Sequence, residues 1–156
     1  MKAYSADKIR NVALVGHGGS GKTTLAEAVL FDSGAINRLG KVDEGNTTSD
    51  YDPDEIKHHI SINLSLLPLE WKDHKINLID IPGYPDFVGE VKAGLRVADA
   101  ALVLVDAVAG AEVGTGIVWR AADEYKLPRV VAVTKLEREH ANFENAVQSI
   151  RDGLDA

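Results

Sequence analysis

The sequence predicts an α/β fold with a mostly parallel sheet, one antiparallel edge strand and helices on both faces. Short apolar runs rich in Val, Ile and Leu are typical of strands buried on both faces. Here they alternate with segments of helical periodicity. The apolar runs are 12–15, 76–81, 101–105 and 130–133, and the helical patterns are 23–31, 87–97, 117–125 and 143–154. This alternation implies right-handed crossovers and a three-layer architecture.

The antiparallel strand is predicted from a different pattern. Residues 60–66 alternate strictly between apolar and polar side chains, as a half-buried strand does, and we extend that strand to Trp71. Only residues 72–75 separate Trp71 from the next apolar run, whereas a parallel crossover needs about a dozen residues or more. The two strands should therefore form an antiparallel hairpin at an edge of the sheet.

Length and composition indicate a single domain with an ordinary core. The chain has 156 residues, 24 acidic and 17 basic, and a formal charge of -7 with no basic tract. That balance argues against sequence-specific or general nucleic-acid binding, but not against docking on a large ribonucleoprotein through a local patch. The absence of cysteine excludes disulfides and thiolate metal sites. No apolar stretch is long enough to span a membrane and no signal-peptide core is present, so we expect a cytoplasmic domain without a membrane partner.

A phosphate-binding loop is predicted directly after the first apolar run. Residues 16–23 read GHGGSGKT and fit the pattern G-x-x-x-x-G-K-S/T, followed by a predicted helix. Glycines let the backbone turn and present N–H groups to phosphates, the lysine reaches the terminal phosphates, and the hydroxyl binds Mg²⁺. The predicted nucleotide-binding residues are Gly16, His17, Gly18, Gly19, Ser20, Gly21, Lys22, Thr23 and Thr24. The fold class is therefore a P-loop NTPase.

A second candidate motif, Asp80-Ile81-Pro82-Gly83, ends the third strand at the carboxyl edge of the sheet. An acid there can hold Mg²⁺ or its waters, as the Walker-B acid of P-loop enzymes does. Gly83 can offer its N–H to a γ-phosphate and let the chain swing when that phosphate leaves. The alternative is a plain turn that caps the following helix. The long polar segment 33–59 has no clear period, and loops of that size are usually functional or disordered.

Three separated segments resemble a known family. They read GKVDEGNTTSDYDP at 40–53, WKDHKINLIDIPGYPDFVGEV at 71–91 and VWRAADEYKLPR at 118–129. They are similar, in the same order, to elongation factor G and related translational GTPases, and the likeness covers nearly the whole chain. The resemblance implies that 33–59 is switch I and that Ser61 stands where a switch I threonine closes on Mg²⁺. An outward position on the edge strand is the other interpretation of Ser61.

The resemblance also implies a GTPase that binds GTP or GDP with Mg²⁺ and acts on the ribosome through a longer parent protein. Asp80 and Gly83 match the switch II motif, and Gly83 and Tyr84 take the catalytic positions. Two residues depart from the family pattern. Gly19 replaces an aspartate, and Tyr84 replaces the histidine that positions the attacking water. Because a phenol with a pKa near 10 is a poor base at neutral pH, hydrolysis by the chain alone should be slow. Packing is the alternative role for Tyr84.

The guanine-reading loop of the family corresponds to Thr134-Lys135-Leu136-Glu137. Glu137 keeps the carboxylate that accepts from guanine, Lys135 would stack along the base and reach back to the phosphate loop, and Thr134 replaces an amide and gives up one donor. A weakened guanine preference is expected. The chain is also expected to stop before the family's last guanine-contacting motif, which indicates a G-domain fragment.

Two other functions compete with this interpretation. A nucleotide-gated binding module with little or no hydrolysis is suggested by Gly19 and Tyr84. An ATP-using P-loop enzyme is disfavoured by the predicted hairpin and by the carboxylate of Glu137.

Overall fold

The computed structural model describes residues 2–154 and contains a five-stranded sheet of order β2-β3-β1-β4-β5. The strands are β1 (Ile9–Gly16), β2 (Ser65–Trp71), β3 (His74–Asp80), β4 (Ala100–Asp106) and β5 (Arg129–Thr134). The helices are α1 (Lys22–Asp32), α2 (Pro53–His58), α3 (Val88–Val97), α4 (Val113–Glu124) and α5 (Phe143–Leu154). All neighbouring strands pair in parallel except β2 and β3. The predicted fold class is confirmed.

Two apolar clusters cover the two faces of the sheet. In β1, Ala13 and Val15 belong to one cluster and Leu14 to the other, because successive side chains of a strand point to opposite faces. The first cluster includes buried residues of α3, α4 and α5. The second joins α1 to β2 and β3. This arrangement gives three layers and brings the carboxyl ends of β1, β3 and β4 to one edge.

The edge strand begins later than the alternating pattern predicts, and its faces are reversed. Residues 60–64 lie outside the sheet, and β2 starts at Ser65 opposite Asp80. The amides of 62 and 63 donate to Glu55 and that of 64 donates to Glu90, so they are not available to a strand ladder. Within β2, Leu67 is buried at 4% exposure while Leu66 is 60% exposed. The alternation over 60–66 would place its apolar residues, Leu66 included, on the buried face, and the structure places Leu66 on the exposed face instead.

The segment 33–59 is not a uniform loop. It holds a short 3-10 helix at Val42–Glu44 and the helix α2. Asp52 caps α2 by accepting from the amide of Asp54 at 2.9 Å, and the Glu55 side chain accepts from the amide of Asp52 at 3.0 Å. This reciprocal capping box with Pro53 in the first turn was readable in the sequence as D-P-D-E. The helix ends at His58, and the next residue, His59, has a φ of 53°.

The remaining boundaries differ from the predicted ones by few residues, apart from α4. That helix begins at Val113, four residues before the predicted start, after Glu112 and Thr115 form a second capping box. Its first turn contains two glycines, which obscured the helical pattern.

Within residues 2–154, no helix is both long and apolar enough to cross a membrane.

Candidate nucleotide-binding site

A cavity of about 530 Å³ opens where the loop after β1 meets the segment 39–43 and residues 59–61. Sites for small molecules typically have volumes of about 300–1,000 Å³. The cavity brings together many of the residues that the sequence singles out. They are Gly18, Gly19, Gly21, Lys22, Thr23, Thr24, Ser61, Gly83, Tyr84 and Lys135. Arg138 also lines the cavity and was not predicted.

The loop 17–21 depends on glycine at the positions that face the cavity. Gly19 and Gly21 have φ values of 78° and 94°, which residues with a Cβ rarely adopt. Gly21 directly precedes α1, whose N-terminus begins at Lys22 and carries the positive end of the helix dipole. A Cβ on Gly18 would lie 2.7 Å from the ring of Tyr84. The loop therefore has the backbone form and the helix position of an anion-binding site.

Lys22 supplies a buried positive charge beneath this loop. Its side chain is only 6% exposed, and Nζ donates to the carbonyl oxygens of Gly16 at 3.2 Å and His17 at 2.9 Å. Burial lowers the pKa of the Lys22 ammonium to about 8, against the opposing effects of Asp80 and Asp50. A phosphate beside Nζ would favour the charged form.

A cluster of hydroxyl and carboxylate groups lies next to Lys22. Oδ2 of Asp80 accepts from Thr23 at 2.8 Å and from Ser49 at 2.9 Å. The hydroxyls of Thr23 and Ser61 lie 3.1 Å apart, and Ser61 donates to Asp50 at 2.7 Å. The three predicted metal ligands, Thr23, Ser61 and Asp80, are thus brought together. Ser49 and Asp50 were missed, because nothing in the polar run 46–50 distinguishes them.

Among the described residues, Asp80 has the burial and the free oxygen expected of a carboxylate that binds a cation. It is 2% exposed, and burial raises the pKa of its carboxyl to about 6. Among the residues that the structure describes, Oδ1 has no hydrogen-bond partner although it is buried. Hydroxyl and carboxylate oxygens are the ligands that Mg²⁺ prefers. The described residues contain no group of three or more His, Asp or Glu side chains suited to a metal, so a cation here would need phosphate or water ligands as well.

The segment after β3 packs tightly against the phosphate loop. A Cβ on Gly83 would approach Nζ of Lys22 to 2.4 Å and the amide nitrogen of Gly18 to 2.6 Å. The Tyr84 ring covers Gly18 and is 38% exposed. Gly83 and Tyr84 thus lie at the phosphate end of the cavity, and any other residue at 83 would force the two segments apart.

The ring of His17 is turned away from the cavity. Its Nδ1 accepts from the amide of Gly114 at 3.2 Å, and Nε2 lies 3.5 Å from Glu112. His17 therefore joins the phosphate loop to the start of α4. A role at the nucleotide would rest on its backbone.

The predicted base-reading loop lies at the carboxyl end of β5. The Thr134 hydroxyl donates to the carbonyl of Ser20 at 2.8 Å and lies 3.2 Å from that of Val105. Nζ of Lys135 pairs with Asp106 at 2.8 Å, and Lys135 lines the cavity together with the glycines of the phosphate loop. Glu137 is exposed. Asp106, which ends β4, was not singled out from the sequence.

The fold and this site define a P-loop nucleotide-binding domain. The family described as the elongation factor Tu GTP binding domain matches residues 7–155, and the chain belongs to that family of guanine-nucleotide-binding domains. The chain is 43% identical over 155 residues to elongation factor G of Petrotoga mobilis. It is 44% identical over 150 residues to the mitochondrial ribosome-releasing factor 2 of Candida dubliniensis.

These matches cover 99% and 96% of this chain but 22% and 19% of the two relatives. A crystal structure of a protein from Thermus thermophilus superposes with a TM-score of 0.90 at 48% identity. That match covers 94% of this chain and 22% of the other. The chain thus spans about a fifth of the length of these relatives.

Proposed function

We propose that this domain binds GTP and GDP with Mg²⁺ and hydrolyses GTP as the switch of a longer translation factor that acts on the ribosome. The observation that carries the proposal is the cluster of Lys22, Thr23, Ser61 and Asp80 beside the glycine loop and the cavity. The names of the relatives, elongation factor G and ribosome-releasing factor 2, support the ribosome as partner.

Each group of the cluster has a chemical role in the proposal. Lys22 and the loop amides bind the β- and γ-phosphates, while the hydroxyls of Thr23 and Ser61 are metal ligands. Oδ1 of Asp80, buried and without a partner among the described residues, holds the cation directly or through a water. Bound Mg²⁺ would supply positive charge that neutralises the phosphate oxygens. Gly83 offers its N–H to the γ-phosphate.

Recognition of the base is assigned to the carboxylate of Glu137, which would accept from N1–H and the 2-amino group of guanine. Adenine presents a lone pair at N1, which a carboxylate repels. Thr134 uses its hydroxyl on Ser20, so it positions the loop more than it reads the base. We propose that 33–59 is switch I.

Slow hydrolysis by the chain alone follows from the residues at the phosphate end. The ring of Tyr84 rests on Gly18, and Gly19 brings no carboxylate to the loop. The same observations favour a second candidate, a nucleotide-gated binding module with little hydrolysis.

A cytoplasmic location and the absence of membrane and sequence-specific nucleic-acid partners remain predictions.

Calorimetric titration with GTP and Mg²⁺ tests the binding proposal. Lys22→Ala should abolish measurable binding, because it removes the buried charge that faces the phosphates. Lys92→Ala, which removes an exposed lysine of α3 paired with Glu124, is the matched control and should bind as the parent does. Competition by ATP should be weaker than by GTP. GTP binding by Lys22→Ala equal to that of the parent would refute the assigned phosphate site.

A further inference from the structure

Glu27 is a buried carboxylate that the proposed function does not use. It lies on α1 one turn beyond Thr23 and is 3% exposed. Its oxygens accept from the amide of Gly40 at 3.0 Å, the amide of Thr48 at 2.9 Å and the hydroxyl of Thr48 at 3.2 Å. A buried charge is tolerated only where hydrogen bonds satisfy it. All three groups that donate to Glu27 belong to the segment 33–59, so the Glu27 carboxylate holds that segment against α1.

The residues that Glu27 holds are next in the chain to the predicted metal ligands and their partners. Thr48 is followed by Ser49 and Asp50, which hydrogen-bond to Asp80 and Ser61 respectively. On the far side of Ser61, the buried carboxylate of Glu55 accepts from the next two amides at 2.9 Å each. Ser61 is thus held between two carboxylate anchors. Of these two, Glu27 is the anchor on the helix that carries Thr23.

We propose that Glu27 is a positioning residue that holds the segment 33–59 in its closed position over the phosphate side of the site. The proposal rests on the assignment of this site to GTP and Mg²⁺. A triphosphate with Mg²⁺ uses the closed position of Ser61, and its apparent affinity falls with the fraction of molecules that are closed. A diphosphate lacks the γ-phosphate and is held mainly by Lys22, the loop amides and Thr23, so it should gain less from the closed position. Loss of the Glu27 contacts should therefore weaken triphosphate binding selectively.

Two substitutions on opposite sides of the contact should have the same effect. Glu27→Gln keeps the size of the side chain but turns an amide donor toward the donors of Gly40 and Thr48. Gly40→Ala leaves Glu27 intact, yet its Cβ would lie 2.6 Å from Oε1 of Glu27 and 2.5 Å from the carbonyl oxygen of Asn46. Asp54→Asn removes an exposed carboxylate from the segment 33–59, outside 40–50, and is the matched control.

The experiment measures amide exchange of the nucleotide-free chain and calorimetric affinities for GDP and for a non-hydrolysable GTP analogue, both with Mg²⁺. Glu27→Gln and Gly40→Ala should speed exchange over 40–50 and weaken the triphosphate by about tenfold or more. Their GDP affinity should stay within about twofold of the parent's. Asp54→Asn should match the parent in all three measurements.

Three results would overturn the inference: unchanged exchange over 40–50, unchanged triphosphate affinity, or equal weakening of both nucleotides. The last would mark Glu27 as a general structural residue. If Glu27→Gln fails to fold, Gly40→Ala decides the matter by the same measurements. A parent chain that binds neither nucleotide would refute the proposed function instead, and the exchange arm would still test whether Glu27 holds the segment.

Discussion

Thr134 stands where the family has an amide side chain, and its hydroxyl makes different contacts. Its hydroxyl has one hydrogen, and two carbonyl oxygens are within reach of it, that of Ser20 at 2.8 Å and that of Val105 at 3.2 Å. The contact with Ser20 ties the end of β5 to the phosphate loop and leaves no donor for a purine ring. Lys135, the next residue, pairs with Asp106. We therefore propose that discrimination between guanine and adenine falls on Glu137.

Replacement of Glu137 by alanine should erase the preference for guanine nucleotides. Hydrogen bonds to a charged group contribute about 1.5–3 kcal/mol, so GTP affinity should fall about ten- to a hundredfold. ATP affinity should barely change, and triphosphate binding should remain detectable. Glu139→Ala removes another exposed carboxylate two residues away and is the control. A ratio of GTP to ATP affinity that stays constant would show that this loop does not read the base.

The motifs predict which side chains belong to the candidate site, but the partners of these side chains depend on the tertiary fold. The phosphate-loop pattern predicts Lys22 and Thr23 because chemistry and local backbone demand them together. Nothing local predicts that Ser49 donates to Asp80, 31 positions away, or that the His17 ring turns to α4. Such contacts depend on how distant segments pack.

At the scale of elements, β2 carries the clearest departure from the sequence pattern. The alternation over 60–66 is regular, but Glu55 and Glu90 take the amides of 62–64. The true strand begins at Ser65, where alternation with Leu67 and Leu69 runs in the opposite phase. A shift of one residue moves every side chain to the other face, so tertiary contacts overrode the local pattern here.

A matched pair of substitutions tests the orientation of β2. Leu67→Ala removes a buried side chain and should lower the free energy of unfolding by about 2–4 kcal/mol. Leu66→Ala truncates an exposed neighbour of the same size and should change the free energy of unfolding by about 0.5 kcal/mol or less. Urea unfolding monitored by circular dichroism measures both. Greater destabilisation by Leu66→Ala than by Leu67→Ala would show that Leu66, and not Leu67, points into the core.

For the whole molecule, the order of strands and helices places the site. Parallel β1, β3 and β4 end at one edge, so the phosphate loop after β1 and the Asp80 turn after β3 meet there. This much was predictable from the apolar runs, because buried parallel strands have a strong and local sequence pattern. The path of residues 33–63 across that edge was not predictable, since it depends on the buried carboxylates of Glu27 and Glu55 rather than on a periodic pattern.

Hydrolysis is proposed for the domain itself, but its full rate is expected to depend on the domain's surroundings. Tyr84 offers no base for the attacking water, and Gly19 adds no carboxylate to the phosphate loop. Orientation of water by groups supplied from outside would then lower the barrier, as positioning and fixed charges do in phosphoryl transfer. The relatives of this chain are about five times as long, so such groups are to be sought in the longer factor and on the ribosome.

GTP turnover by the full-length factor that carries this domain, measured with and without ribosomes, tests the central claim most directly. We predict slow release of phosphate by the factor alone and stimulation by ribosomes of about a hundredfold or more, which corresponds to about 3 kcal/mol of the barrier. GTP bound with normal affinity but not hydrolysed faster in the presence of ribosomes would contradict the GTPase switch and leave the nucleotide-gated binding module.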